Sequence, residues 1–391
     1  MVNTRTSAFS VGGKPLSAQR NHPDCLTANR SATPAAAGMA SLDSSDVRIA
    51  LIGYGLAGSV FHAPLISTTP GMQLAAIVTG NADRVDLARR MHPGTEVFAT
   101  PEELWDRGGV DCVVIATPNL THAPLALAAI SHGVAVVVDK PLAISAEQAD
   151  QVIAAADNAG VLLTVFQNRR WDGDFLTVKS LLKSGALGKV ARFESRFERW
   201  RPQIKDGWRE NVSPSDGGGL LFDLGSHVID QALNLFGPAA SVYAEIDTTR
   251  PGAKVDDDVF VAITHHNGVR SHLFASATAA DLGPKFRVLG REGGYSCYGL
   301  DVQENALRAG LLPGEGWGAV SEENWGELTN LEGITAPFPT IPGDYPAFYR
   351  QLRDAIRGDG PVPVDPRGAA DTLRIIEAAR YSSTMHRVVT L

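Results

Sequence analysis

A histidine with carboxylates at helical spacing is the first feature of this chain that can do chemistry. In the stretch Gly217-Gly218-Gly219-Leu220-Leu221-Phe222-Asp223-Leu224-Gly225-Ser226-His227-Val228-Ile229-Asp230, the residues Asp223, His227 and Asp230 fall at i, i+4 and i+7. That spacing predicts one helical face carrying all three, with Leu221, Ile229, Leu233 and Phe236 packing on the other side. A histidine so placed suits general acid/base work, its imidazolium supported by the neighbouring carboxylates. A second group stands at Asp139-Lys140-Pro141. Pro141 disfavours the helical region at Lys140, so the lysine should project from an extended turn, where it can orient a hydroxyl or relay its proton. The plainer alternative is a surface ammonium, which is what most lysines are.

A site that moves protons but carries no metal-binding spacing needs an electron carrier, and the chain supplies a place for one. Gly53-Tyr54-Gly55-Leu56-Ala57-Gly58 follows the apolar run Val47–Ile52 and opens a helical stretch near Ser59. Glycines at these points permit a tight turn, close approach of backbone to a pyrophosphate, and close helix-on-strand packing. The second strand ends Val78-Thr79-Gly80-Asn81, with Arg84 shortly after and no acid at its tip. A carboxylate there would serve the ribose of NAD and repel a 2′-phosphate, whereas Thr79, Asn81 and Arg84 can bind one. NADP is therefore the expected cofactor and NAD the second choice, unless Arg84 is only a solvated first-turn residue. Thr117-Pro118-Asn119 and His122 follow a later strand, at the end of the sheet where a nicotinamide would sit. The same residues also read as a Pro-stiffened turn with Thr121 as a helix cap. Asp139 and Lys140 complete the expected cofactor set.

The elements that must position these groups alternate in type. Val47–Ile52, Leu74–Val78, Val110–Ile115, Ala135–Val138 and Leu162–Phe166 read as strands, and Ala82–Met91, Thr121–Ser131 and Ser145–Asn158 as helices between them. The pattern predicts a doubly wound parallel sheet over residues 46–168. Beyond it come a helix near Asp174–Lys183, a Trp/Arg-rich loop, and the strands Val259–His266 and Val269–Ala277, joined at Asn267-Gly268 as a type I′ hairpin. Phe286–Leu289 and Tyr295–Tyr298 form a further pair, and Pro366–Met385 a last helix that packs back on the body. The fold class is α/β: a Rossmann domain, then an α/β domain over residues 169–391 with a large, mostly antiparallel sheet.

Composition narrows the partners. A formal charge of -8 argues against a phosphate-backbone binder, so no nucleic acid is expected. No apolar run is long enough to span a membrane. Residues 1–45 are polar and without period, a disordered leader in which Met39 offers a second start. Cys25, Cys112 and Cys297 lie far apart, as reduced thiols of a cytoplasmic protein would. The adjacent His265 and His266 lack ligand-spaced partners and read as structural.

Together the Gly-rich turn, Thr117-Pro118-Asn119, Asp139-Lys140-Pro141 and the Asp-x-x-x-His helix resemble the glucose-fructose oxidoreductase / inositol dehydrogenase / MocA family, from about Val47 to the C-terminus. Phe61-His62-Ala63-Pro64-Leu65, Gln167-Asn168-Arg169-Arg170-Trp171-Asp172 and Tyr298-Gly299-Leu300-Asp301 are similar to its branch of NADP-dependent scyllo-inositol dehydrogenases. Asp139 stands where the family has Glu. The resemblance implies Lys140, Asp223 and His227 as the catalytic trio, with His227 as acid/base, Lys140 on the reacting oxygen and Asp223 on an adjacent hydroxyl. It implies Arg169 as a substrate-side arginine, Arg201, Trp208 and Arg209 as weaker pocket candidates, and a polyol or sugar as substrate. It also implies a homo-oligomer, dimer or tetramer, formed through the second sheet. Two other readings stay open, a non-catalytic NADP-sensing protein and a reductase of another carbonyl. A sensor has no need of an acid/base.

Overall fold

Strands rich in valine and isoleucine, with no polar face, must be covered on both sides, and a parallel sheet between helices does this. The computed structural model describes residues 46–204 and 212–391. In it β1 (Val47–Ile52), β2 (Met72–Val78), β3 (Glu96–Phe98), β4 (Cys112–Ile115), β5 (Ala135–Asp139) and β6 (Leu163–Phe166) pair in parallel in the order β3-β2-β1-β4-β5-β6. The order reverses between β1 and β4, so a crevice opens beyond their carboxyl ends. Of these strands β3 escapes prediction, because three residues are too few to show a period. The expected leader, residues 1–45, lies outside the described residues.

Local signals set the helix starts. Asn81 Oδ1 accepts from Arg84 N at 3.0 Å to begin Ala82–Met91, and Ser145 Oγ accepts from Gln148 N at 3.2 Å to begin Ala146–Ala159. Thr121 holds the N-cap position of the next helix, but its side chain makes no capping hydrogen bond. Its hydroxyl lies 2.7 Å from Pro118 O and 2.6 Å from Thr117 Oγ1, facing back into the turn, and the helix His122–Ser131 follows a short 3₁₀ turn, Asn119–Thr121.

The second sheet holds β7 (Val190–Glu198), β8 (Ala239–Asp247), β9 (Asp258–His265), β10 (Arg270–Ser276), β11 (Phe286–Gly290), β12 (Gly294–Cys297), β13 (Gly326–Thr329), β14 (Thr335–Phe338) and β15 (Val389–Thr390). Their order is β14-β13-β12-β11-β7-β10-β9-β8-β15, antiparallel everywhere except between β7 and β10. Two expectations need correcting. The segment read as a Trp/Arg-rich loop begins with β7, a central strand. The β9–β10 connection is not type I′: Gly268 N donates to His265 O at 2.9 Å, and Gly268 alone takes a positive φ, +86°. That is a turn centred on His266 and Asn267 followed by a left-handed glycine.

The helix Pro366–Met385 has the expected bounds and ties the sheets together. It packs on Ala146–Ala159, on β8 and on the helix Ser226–Phe236. Glu377 Oε1 accepts from Ala146 N at 2.8 Å, and Ser382 Oγ from Ala244 N at 3.0 Å. Its buried Leu373 and Ile376 each contribute roughly 1.5–3 kcal/mol. Cys112 and Cys297 are buried free thiols, and burial pushes Cys297 up to about 12, which leaves it inert. No helix among the described residues is long and apolar enough to cross a membrane.

Candidate active site

Two cavities meet at the mouth of the first sheet. One, of about 790 Å³, runs over the Gly53–Gly58 turn, the tip of β2 and the Thr117–Asn119 turn. The other, of about 690 Å³, lies against the second sheet. They share Leu56, Ala57, Asp139, Lys140 and Asp223 as a common wall.

The first cavity is shaped by missing side chains. A Cβ on Gly53, where φ is +98°, would stand 2.5 Å from Ala116 O, and one on Gly58 would stand 2.1 Å from Gly53 O. The backbone therefore folds closely around the crevice, leaving room for a dinucleotide pyrophosphate. The chain turns from there into a wide π-type turn, Ala57–His62. Thr79 is buried and lines the cavity, with Asn81 and Arg84 at its rim. Asn81 is occupied as the helix cap. The Arg84 guanidinium, 3.8 to 4.0 Å from a Cβ position on Gly55, makes no hydrogen bond or ion pair among the described residues. An exposed cation over a glycine turn fits an anionic nucleotide.

Two expected cofactor residues have a different setting. His122 lies beneath the wall: its Nδ1 faces Pro141 O at 2.7 Å and its Nε2 faces Thr117 O at 2.9 Å. Burial holds its pKa below the usual imidazole value, the two carbonyls opposing. It clamps the β4 turn to the β5 turn and does not itself line the cavity. Asn119 lines the cavity but donates through Nδ2 to Gly217 O at 3.1 Å, so it also anchors the Gly-rich loop of the second half.

At the common wall Lys140 Nζ donates to Asp223 O at 2.5 Å and lies 3.3 Å from Asp223 Oδ1. The Lys140–Pro141 peptide is cis. Asp223 sits in a second π-type turn, Leu221–Gly225, and regular α-helix begins only at Ser226. That turn is held by Asp256, whose Oδ2 accepts from Leu221 N at 2.7 Å. Gly219, at φ +94°, has Asp256 Oδ1 2.1 Å from where its Cβ would be, so only glycine fits there.

The expected carboxylate setting of His227 is corrected by these contacts. Asp230 turns away into a two-pronged pair with Arg170 at 2.8 and 2.6 Å, and Asp223 faces Lys140. His227 is instead buried against the Phe197 ring, centroids 6.3 Å apart, with Lys140, Arg169, Lys285 and Arg199 around it. Burial first, then these four cations, drive its pKa well below 6.5. At neutral pH the ring is a neutral imidazole, poised as a base rather than as a supported imidazolium. Its Nδ1 is sealed without a partner.

Arg169 lines the second cavity as expected, held by Glu304 at 2.5 Å and Asp172 at 3.3 Å, over Phe197 at 4.6 Å. Arg201 lines it too, whereas Trp208 and Arg209 lie outside the described residues. His265 is structural, between Gly237 O and Ser271 Oγ, each 2.8 Å away. No sequence signal marks His62 for a role. His62 is fully buried, bonds Tyr349 Oη through Nδ1 at 2.6 Å, and sits 3.8 Å from Asp139 Oδ1. Burial would raise the Asp139 pKa, but His62 and Lys140 outweigh it and hold the carboxyl below its usual range.

Comparison with known proteins gives the same outline. Residues 47–167 match the model of an oxidoreductase family with an NAD-binding Rossmann fold, and residues 175–296 that of the GFO/IDH/MocA C-terminal domain. The chain is 43% identical to the uncharacterized oxidoreductase YdgJ of Escherichia coli, over 88% of this chain and 98% of that protein. It is 36% identical to the scyllo-inositol 2-dehydrogenase (NADP(+)) IolW of Bacillus subtilis, over 88% and 96%. The solved structure of the yvaA protein of Bacillus subtilis superposes with a TM-score of 0.82 at 34% identity, covering 88% of this chain and 100% of that one.

Proposed function

The chain belongs to the Gfo/Idh/MocA family of NAD(P)-dependent oxidoreductases, and from that premise we propose that it moves hydride between NADP and a secondary hydroxyl or ketone of a cyclitol or sugar. The observation that carries this reading is the common wall. Lys140, from the end of β5, and Asp223, from the second half of the chain, border both cavities, and His227 borders the second one beside them.

When bound, the nicotinamide accepts or supplies the hydride. Lys140 Nζ donates to the substrate oxygen and orients it. Asp223 holds Lys140 in place and accepts from a neighbouring hydroxyl. His227, neutral before reaction, takes the hydroxyl proton as base in the oxidising direction; its Nδ1 is sealed, which leaves Nε2 as the ring nitrogen for that proton. His122 and Asn119 keep the turns that carry Lys140 and the Gly-rich loop in register.

The NADP preference is supported by Arg84 at the rim, which has no ion pair among the described residues, and by the absence of an acid at the tip of β2. IolW is an NADP(+)-dependent enzyme of an inositol, which supports both the cofactor and the substrate class. The test is a panel of inositols, aldoses and their keto forms, followed through nicotinamide absorbance with each cofactor. Turnover of at least one polyol or ketone with NADP(H) is expected. No reaction with any of them would overturn the reading.

A further inference from the structure

One wall of the second cavity is made by the continuation of β7. Arg199 N donates to Ser276 O at 2.8 Å and Arg201 N to Ala277 O at 2.7 Å, so the chain stays extended beside the end of β10. With a period of two, Arg199 and Arg201 share one side and Trp200 the other. Trp200 is exposed, and both arginines line the cavity.

Other cations of this cavity have carboxylate partners: Arg169 has Glu304 and Asp172, Arg250 has Asp257, Arg308 has Glu304, and Lys140 has Asp223. Arg199 and Arg201 differ. Among the described residues their guanidinium groups make no hydrogen bond and no ion pair. Arg199 lies over the Phe197 ring at 4.8 Å, a ring that already carries Arg169 at 4.6 Å and Lys285 Nζ at 4.8 Å. Burial, and then the charge of Arg201, push the Arg199 guanidinium down to about 10, while Asp223 and Glu304 act on it only through space. Among the described residues, the cavity thus holds positive charge that carboxylates do not pair.

We infer that the substrate carries an oxyanion, a carboxylate or a phosphate ester, seated on Arg199 and Arg201 while its reacting hydroxyl meets Lys140 and His227. Guanidinium forks match the paired oxygens of either group, and the resulting bonds are charge-assisted. A neutral polyol over the same wall would shut the part-buried Arg199 charge further from water without compensation. The substrate class is therefore an acidic polyol: an aldonate, a uronate or a polyol phosphate. This rests on the polyol oxidoreductase reading given above.

The experiment compares kcat/KM of the full chain, with NADP(H), for neutral inositols and aldoses, the matching uronates and aldonates, and the matching phosphates. The acidic substrates should exceed their neutral counterparts by about tenfold or more, as a bond to a charged group implies. Either acidic arm supports the inference, and which arm leads tells carboxylate from phosphate. In Arg199→Met and Arg201→Met the ratio of acidic to neutral kcat/KM should fall about tenfold, and Arg199→Lys should restore part of it. NADPH binding, read by fluorescence, checks that each variant folds. Neutral substrates turned over as well as or better than acidic ones, or an unchanged ratio in both methionine variants, would overturn the inference and leave the polyol reading standing. Turnover of neither class defeats that reading and this one with it.

Discussion

The nucleotide cavity takes Gly53–Ala57, Thr79–Asn81 with Arg84, and Thr117–Asn119 from three strand ends of one sheet, whereas the substrate cavity takes Lys140, Arg169, Arg199, Asp223 and His227 from five separate elements of both halves. The first is shaped by backbone and by absent Cβ atoms. The second is a field of side-chain charge around the neutral imidazole of His227. A backbone-shaped site should fail when an atom is added and tolerate changes of charge at its rim. A charge-shaped site should fail when one functional group is removed and keep its cofactor.

The largest effect tests that second statement. His227→Asn and Lys140→Met should each lower turnover by about 10²–10⁴-fold, the usual contribution of a positioned acid/base group. His227→Asn should leave the NADPH dissociation constant nearly unchanged, and the double variant should lose less than the product of the two. Near-normal turnover in His227→Asn would remove it from the mechanism and revive the sensor alternative. For the first statement, Gly58→Ala puts a methyl 2.1 Å from Gly53 O. Overpacking of that kind costs about 1–3 kcal/mol, so cofactor affinity should fall roughly tenfold to a hundredfold. Titration of NADPH fluorescence measures it, and unchanged affinity would show that the turn does not cradle the nucleotide.

A smaller shift is expected at the rim. Gly80 takes no positive φ, and a Cβ there would stand 3.5 Å from Ala99 O, so Gly80→Asp fits and adds a carboxylate near the ribose. The NADP to NAD ratio of kcat/KM should drop by about tenfold. Arg84→Ala should move it the same way. A preference for NAD in the unmodified protein would contradict the assignment of Arg84. The smallest effect is in pH. Because His227 has a pKa lowered from 6.5 by burial and by cations, its base form persists on acidification. The acid limb of kcat/KM for oxidation should therefore lie below pH 6.5, and Arg199→Met, with one cation fewer, should move it upward. A limb above pH 6.5 would mean that the cations do not govern the base.

What the sequence by itself determined is what neighbours in the chain can enforce. The GxGxxG turn, the caps at Asn81 and Ser145, the bounds of Pro366–Met385 and the type of each buried parallel strand follow from local sterics, local hydrogen bonds and period. The motifs also pointed to Lys140, Asp223 and His227, and all three line the second cavity. Tertiary structure decided the rest, since charge and burial depend on residues far away in the chain. β7 was illegible because Arg192, Glu194, Arg196 and Glu198 look like loop residues until Arg287 reaches Glu194 at 3.3 Å and Phe274 lies under Arg196 at 4.5 Å. Hidden with it was Arg199. Helical spacing put His227 between two carboxylates, but the π-type turn at Leu221–Gly225 and the Arg170–Asp230 pair took both away, and cations from four other segments replaced them. Spacing along one helix fixes which side chains share a face; only the packed fold fixes which charges that face meets.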